Sequence, residues 1–259
     1  MLELKGLYKT FNAGTINEKT ALNGINLKLE PGDFVTIIGG NGAGKSTMLN
    51  AISGVFPVDQ GSIVIGNTVV TSLPEYKRAK FLGRVFQDPM MGTAANMGIE
   101  ENLALAARRG DARTFRKGIT AKERELYREK LAPLGLGLEN RMTSKVGLLS
   151  GGQRQALTLL MATIKKPNLL LLDEHTAALD PKTADKVLQL TDEIIRRDQL
   201  TALMVTHNMR NAITYGNRLI MMNEGRIVVD IKGEEKKNLQ VSDLLKKFNI
   251  DNDRMLLSE

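Results

Sequence analysis

The sequence predicts an α/β fold, a mainly parallel sheet flanked by helices, and three observations carry that expectation. The run Phe34-Val35-Thr36-Ile37-Ile38 is nearly all apolar and leads through a glycine-rich turn into a helical pattern, as a strand buried on both faces would. Further along, apolar Leu169–Leu172 and Ala202–Val205 alternate with helical patterns over Gly152–Ile164, over Thr183–Arg197 and after His207, the order of right-handed βαβ units. The first seventy residues instead hold short strand-like runs, among them Ser62–Ile65 and Thr68–Val70 around Gly66-Asn67, a hairpin signal that marks an N-terminal antiparallel β subdomain.

Taken in order, Met1-Leu2-Glu3-Leu4-Lys5 alternates apolar and polar residues without a basic stretch and apolar run, so it reads as a strand and not a signal peptide. A second strand covers Ile25–Leu29, and Phe34–Ile38 is the third. After the glycine-rich turn, Ser46–Ser53 reads as a helix ended by Gly54, with Pro57 soon after. Between Gln87 and Leu149 the pattern turns helical, with Ile99–Ala107 and Ala121–Leu131 joined by a basic linker that contains glycine. This is an α-helical insertion, placed at about residues 88–150 of a main domain spanning 1–235. Leu219–Met222 and Arg226–Val229 around Asn223-Glu224-Gly225 suggest a closing hairpin, and 236–259 is a short charged C-terminal extension with a helix around Val241–Phe248.

Composition narrows the class. With 42% hydrophobic and 25% charged residues over 259 positions, the chain is of ordinary globular type and long enough for a sizeable core. No window approaches the length of an apolar membrane span, so a cytosolic chain is expected. Zero cysteines rule out disulfides and thiolate metal sites and fit a reducing compartment. The net charge of +7 is compatible with nucleic acid, an anionic membrane face or an anionic ligand, and charge alone does not choose. The densest basic stretch is Arg108, Arg109, Arg113, Arg116, Lys117, Lys122, Arg124 and Arg128; its later part is interleaved with Glu123, Glu125 and Glu129, as on a solvated helix face.

The turn after Ile38 reads Gly39-Gly40-Asn41-Gly42-Ala43-Gly44-Lys45-Ser46, a Gly-x4-Gly-Lys-Ser pattern between strand and helix, which is the context a phosphate-binding loop requires. The glycines let successive N–H groups converge on phosphate, and the following helix adds its positive end. Lys45 is expected to bridge the β- and γ-phosphates, Ser46 to ligate Mg²⁺ and Thr47 to reach the α-phosphate. The fold class is then an α/β P-loop NTPase core. The run Leu169–Leu172 ends in Asp173-Glu174, at the carboxyl end of a strand, where parallel sheets bind ligands. Asp173 is expected to hold Mg²⁺ and Glu174 to act as general base toward the attacking water.

Leu149-Ser150-Gly151-Gly152-Gln153-Arg154-Gln155, upstream of that acidic pair, resembles the signature motif of the ABC ATPases, the cassettes that power ABC transporters. The other landmarks follow in the family's order from residue 2 to about 230. Phe11 matches the adenine-stacking aromatic, Gln87 the glutamine of Val85-Phe86-Gln87-Asp88-Pro89, Ala178-Leu179-Asp180 the D-loop, and His207 the histidine of Val205-Thr206-His207-Asn208. The resemblance implies that Gln87 senses Mg²⁺ and water, that His207 contacts the γ-phosphate, and that Asp180 lines a dimer interface. It also implies that Ser150, Gly151 and Gly152 of a second copy close over the ATP held by the P-loop, giving a nucleotide-sandwich homodimer. One departure stands out: His175 occupies the place where most members carry proline, from which altered local stiffness with retained hydrolysis is expected, contact of His175 with the site being the other reading.

The resemblance further implies a separate transmembrane permease, docking near Gln87 and the helical insertion, an extracellular substrate-binding protein, and a position at the cytoplasmic face of the membrane. Met90, Met91 and Met97 fit either an adaptable docking surface there or buried core. The phrase from Asp173 to Pro181 is similar to bacterial importers assigned to tryptophan or tyrosine; an exporter-type ATPase is the alternative direction. Direct nucleic-acid binding is not expected, although the basic linker keeps a nucleic-acid-linked ATPase as a second hypothesis.

Overall fold

A computed structural model describes residues 1–112 and 118–248. Its elements run β1 (Leu2–Phe11), β2 (Lys19–Leu29), β3 (Phe34–Ile38), α1 (Lys45–Ser53), β4 (Gln60–Ile65), β5 (Thr68–Val69), α2 (Glu75–Arg78), β6 (Leu82–Val85), α3 (Ile99–Ala107) and α4 (Ala121–Leu131). They continue with α5 (Gly151–Thr163), β7 (Leu169–Asp173), α6 (Pro181–Arg197), β8 (Ala202–Val205), α7 (Met209–Thr214), β9 (Arg218–Asn223), β10 (Arg226–Lys232), α8 (Glu234–Lys237) and α9 (Val241–Phe248). The chain divides into two compact units, Met1–Arg78 with Gln199–Glu259, and Ala79–Asp198.

In the first unit β2, β1, β4 and β5 form an antiparallel sheet in that order, which is the expected N-terminal β subdomain. Strand β1 buries Leu2, Leu4 and Leu7, so its period of two breaks after Leu4. The register with β2 shifts between Leu4 and Leu7, and Gly6 there has φ 53. A bulge of this kind needs a residue tolerant of the left-handed region and returns the strand to the core out of phase. Strand β3 is buried throughout and pairs in parallel with both β8 and β9, and β9 turns back into β10. The turn between them has positive φ at Glu224 and Gly225, as a two-residue type I′ connection demands.

The extension after residue 235 is not a loose appendage where it is described. Leu239 and Leu244 are buried with Ile38, Met209, Ala212, Leu219, Met221 and Ile231, and Lys236 Nζ donates to the carbonyls of Tyr215 and Gly216. Residues 249–259 lie outside the described residues.

In the second unit β6 and β7 pair in parallel, in register from Leu82↔Leu169 to Val85↔Leu172. The helical insertion has its own core, in which Ile99, Leu103, Tyr127, Leu131, Leu138 and Met142 pack with Leu157 and Leu160 of α5. Helix α4 starts on a capping box in which Thr120 accepts from Glu123 N while the Glu123 carboxylate accepts from Thr120 N. The basic stretch is largely occupied with its own chain. Arg108 pairs with Glu123, Arg124 with Glu100 and Arg128 with Glu125, while Arg109 donates to the carbonyls of Ala162 and Lys165. Arg113, Arg116 and Lys117 lie outside the described residues.

Candidate nucleotide site

In the first unit the loop from Gly39 to Gly44 joins β3 to α1, and its glycines are there for steric reasons. A Cβ on Gly39 would lie 2.2 Å from Met222 O, and one on Gly44 would lie 2.4 Å from Ala21 O. Gly42 and Gly44 have φ 80 and 98, the left-handed region that side chains disfavour. Gly44 caps α1 without any side chain, and the first turn carries no acidic residue, so the helix presents backbone N–H groups and its positive end at the loop. Lys45 is only 6% exposed, and its Nζ donates to Gly39 O at 2.7 Å and Gly40 O at 3.0 Å. Asn41, Gly42 and Ser46 face outward, with Thr47 half-buried behind them.

His207 belongs to the same end of this sheet. β3 and β8 run parallel with Ile37 beside Val205, and Thr206 N donates to Ile37 O at 3.1 Å, so His207 leaves β8 where the phosphate-binding loop leaves β3. Asn208 then caps α7 by accepting from Asn211 N, which turns the chain directly after His207. Phe11, at the end of β1, meets Phe56 edge-on with centroids 5.2 Å apart, and Lys9 Nζ stands 5.5 Å from the Phe11 ring. Phe56 was not among the sequence candidates, and no local pattern marks it.

The second unit collects the remaining candidates. Gln87 follows β6 and is exposed, and Asp173 ends β7, its parallel neighbour, so both emerge at strand carboxyl ends. Arg84 of β6 lies 3.6 Å from the Asp173 carboxylate and against the Phe86 ring, a charge partner that the sequence reading did not name. Glu174 has φ 46, a left-handed backbone that costs a non-glycine residue about 1–3 kcal/mol. His175 is turned inward instead of toward the exposed side. It is 2% exposed, its Nε2 is 3.1 Å from Thr191 Oγ1 of α6, and burial lowers its pKa to about 4.

Ser150 caps α5. Its Oγ accepts from Gln153 N at 3.3 Å, and Gln153 Oε1 accepts from Ser150 N at 3.2 Å, the Ser-x-x-Gln box visible in the sequence. Arg154 donates to the carbonyls of Val146, Gly147 and Leu149, folding the preceding segment onto the helix. A Cβ on Gly152 would sit 2.3 Å from Thr183 Cγ2, so glycine lets the start of α5 approach the start of α6. Asp180 caps α6 by accepting from Thr183 N at 3.1 Å, ahead of Pro181, and hydrogen bonding to the Thr183 side chain, with this backbone bond second, holds its carboxyl below the usual range.

A glycine cradle ending in Lys-Ser between a parallel strand and a helix of the first unit, and acids at the carboxyl end of a parallel strand of the second, are the marks of a P-loop NTPase. The comparisons narrow that class. Residues 22–177 match the ABC transporter family. The chain is 46% identical over 248 residues to the tyrosine transport ATP-binding protein of Clostridioides difficile strain R20291, covering 96% of this chain and 98% of that one. It is 32% identical to an energy-coupling factor transporter ATP-binding protein of Acetivibrio thermocellus, over 87% of this chain and 78% of the relative. Among solved structures, a dimeric bacterial ABC transporter cassette superposes with a TM-score of 0.75 at 31% identity, over 90% of this chain and 98% of that one. The same cassette in a post-hydrolysis state bound to ADP and Pi gives 0.74. The chain belongs to the ABC transporter ATP-binding family: it is an ATPase subunit of an ABC transporter.

Proposed function

We infer that this subunit drives import of an aromatic amino acid of the tyrosine class, with a membrane permease and an extracellular binding protein as partners. The observation that carries the cargo class is the 46% identity to a tyrosine transport ATP-binding protein along nearly the whole of both chains. The subunit itself sits at the cytoplasmic face of the membrane through the permease; among the described residues no helix is long and apolar enough to cross a membrane. Intrachain pairing of Arg108, Arg124 and Arg128 argues against the nucleic-acid alternative.

The working assembly is a homodimer in which the P-loop of one copy and Ser150, Gly151 and Gly152 of the other hold one ATP. Two helix N-termini per chain support this: α1 opens on glycines, and α5 opens on Ser-Gly-Gly. Phe11 stacks the base, Asn41 to Ser46 and Thr47 bind the phosphates, and Asp180 lies at the copy-to-copy interface. The chain's hard oxygen donors, Ser46 Oγ, the Asp173 carboxylate and the Gln87 amide, are of the kind Mg²⁺ takes and would hold it. Mg²⁺ held by these residues would neutralise charge on the phosphate oxygens. Glu174 takes the proton of the attacking water, and His207 orients that water and the γ-phosphate. Closure on ATP moves the permease, and hydrolysis resets it.

The test is Glu174→Gln with ATP and Mg²⁺, read by light scattering on a sizing column. Loss of the base at intact binding is expected to give a stable species of twice the monomer mass; a variant that stays monomeric would falsify the sandwich. Cargo is tested by ATPase stimulation in the reconstituted transporter, where tyrosine is expected to stimulate and methionine is not.

A further inference from the structure

The connection from β7 to α6 contains a buried titratable group, His175, that the proposed reaction does not use. Residues 174–180 form two successive tight turns, with Ala177 N donating to Glu174 O at 2.9 Å and Leu179 N to Thr176 O at 3.1 Å. This connection is tied to α6 at two points. Asp180 caps its first turn, and His175 reaches Thr191, sixteen residues on, in its interior.

The hydrogen bonding defines the His175 tautomer. Thr191 Oγ1 has a single proton and donates it to Val187 O at 2.7 Å. Toward His175 it therefore accepts, and the proton lies on His175 Nε2. Both side chains are buried, His175 to 2% and Thr191 to 1% exposure, so no water competes for the bond. The residue before His175 is Glu174, held at φ 46, a conformation that persists only where the surroundings impose it.

We propose that His175 is a positioning residue for Glu174: its Nε2–H bond to Thr191 anchors the turn on α6 and fixes the backbone from which the Glu174 carboxylate projects. Where proline would stiffen such a turn through its own ring, this chain uses a side-chain bond to a neighbouring helix. The proposal rests on the reading of Glu174 as general base, and the experiment separates the two.

ATPase kinetics are measured on the full-length chain for His175→Leu, Thr191→Val and the double variant, with Glu174→Gln alongside. Each single variant is expected to lower kcat by roughly tenfold to a hundredfold at unchanged KM for ATP. The double variant is expected to lower it no further, because both changes remove one bond. His175→Gln, which places an N–H at similar reach, is expected to recover most of the rate. Wild-type kcat in the first three variants, with only the melting temperature lowered, overturns the proposal, as does a rise in KM at constant kcat. Wild-type turnover in Glu174→Gln removes the base assignment and the proposal with it; an inactive Glu174→Gln beside a fully active His175→Leu rejects the anchor alone. If the variants fail to fold, the wild type still decides. The sequence has two histidines, so ¹⁵N-labelled imidazole spectra with His207→Ala for assignment report the tautomer directly: Nε2-protonated His175 is expected, and the Nδ1-protonated form overturns the bond.

Discussion

Arg78 is a guanidinium with 2% exposure in a unit whose main chemistry lies elsewhere, and its hydrogen bonds explain why it is tolerated. Nε donates to Leu73 O, NH1 to Ala51 O and Ile52 O, and NH2 to Thr71 O. Two of those carbonyls close the last turn of α1, where a cation is favoured by the helix dipole, so the helix that presents the phosphate-binding loop is held at its far end by one charge. Burial lowers the Arg78 pKa, yet the group remains a cation. Arg78→Leu removes the guanidinium donors from four carbonyls, of which Ala51 O keeps the N–H of Gly54, and is expected to cost on the order of 3 kcal/mol. Chemical denaturation checks this through a lower midpoint at unchanged slope. Lysine is no substitute, since a single ammonium cannot reach all four acceptors in the fork geometry of a guanidinium.

At the level of elements, helix starts set the direction of most candidate groups. α1, α5, α6 and α7 each begin within two residues of a candidate, and the caps at Ser150, Asp180 and Asn208 are side-chain oxygens bonded to an N–H three residues on. Capping therefore turns the chain at the places where chemistry is needed. Helix α9 acts from behind. Leu244, wholly buried, shares a cluster with Ile38, the residue before Gly39, and with Met209, two residues after His207. Leu244→Ala is expected to destabilise the protein by about 2–4 kcal/mol. Hydrogen exchange is the discriminating measurement: faster exchange of β3 and α7 amides is expected, and exchange confined to α9 would show that this helix only decorates the surface.

For the whole molecule, the nucleotide is a ligand that stabilises the folded chain by mass action. ATP with Mg²⁺ at a hundredfold excess over Kd adds about 2.7 kcal/mol to the stability of whatever it binds. A rise in the melting temperature with ATP concentration is therefore expected for the wild type. Lys45→Ala removes the buried ammonium beside Gly39 and Gly40 and is expected to abolish that rise. An unchanged shift in Lys45→Ala, measured by scanning calorimetry, would sink the assignment of the loop to phosphate.

Much of this fold is local and was therefore legible from the sequence. The phosphate-binding loop needs glycines because its φ values and close approaches exclude a Cβ, and that constraint is written in consecutive residues. Strands β3, β7 and β8 are buried on both faces and so read as continuous apolar runs, and the caps of α5 and α6 follow from Ser-x-x-Gln and Asp-Pro. Other features depend on partners far along the chain. Leu82-Gly83-Arg84-Val85 has no strand pattern and becomes β6 by pairing with β7. The position of Arg84 beside Asp173, of Phe56 against Phe11 and of Arg78 under α1 came only with packing. His175 shows the division most sharply. The sequence by itself marked it as a departure next to the acidic pair; whether it faced the site or the core was decided by Thr191 on α6, because a buried imidazole settles where its N–H finds an acceptor, and no spacing along the chain records that.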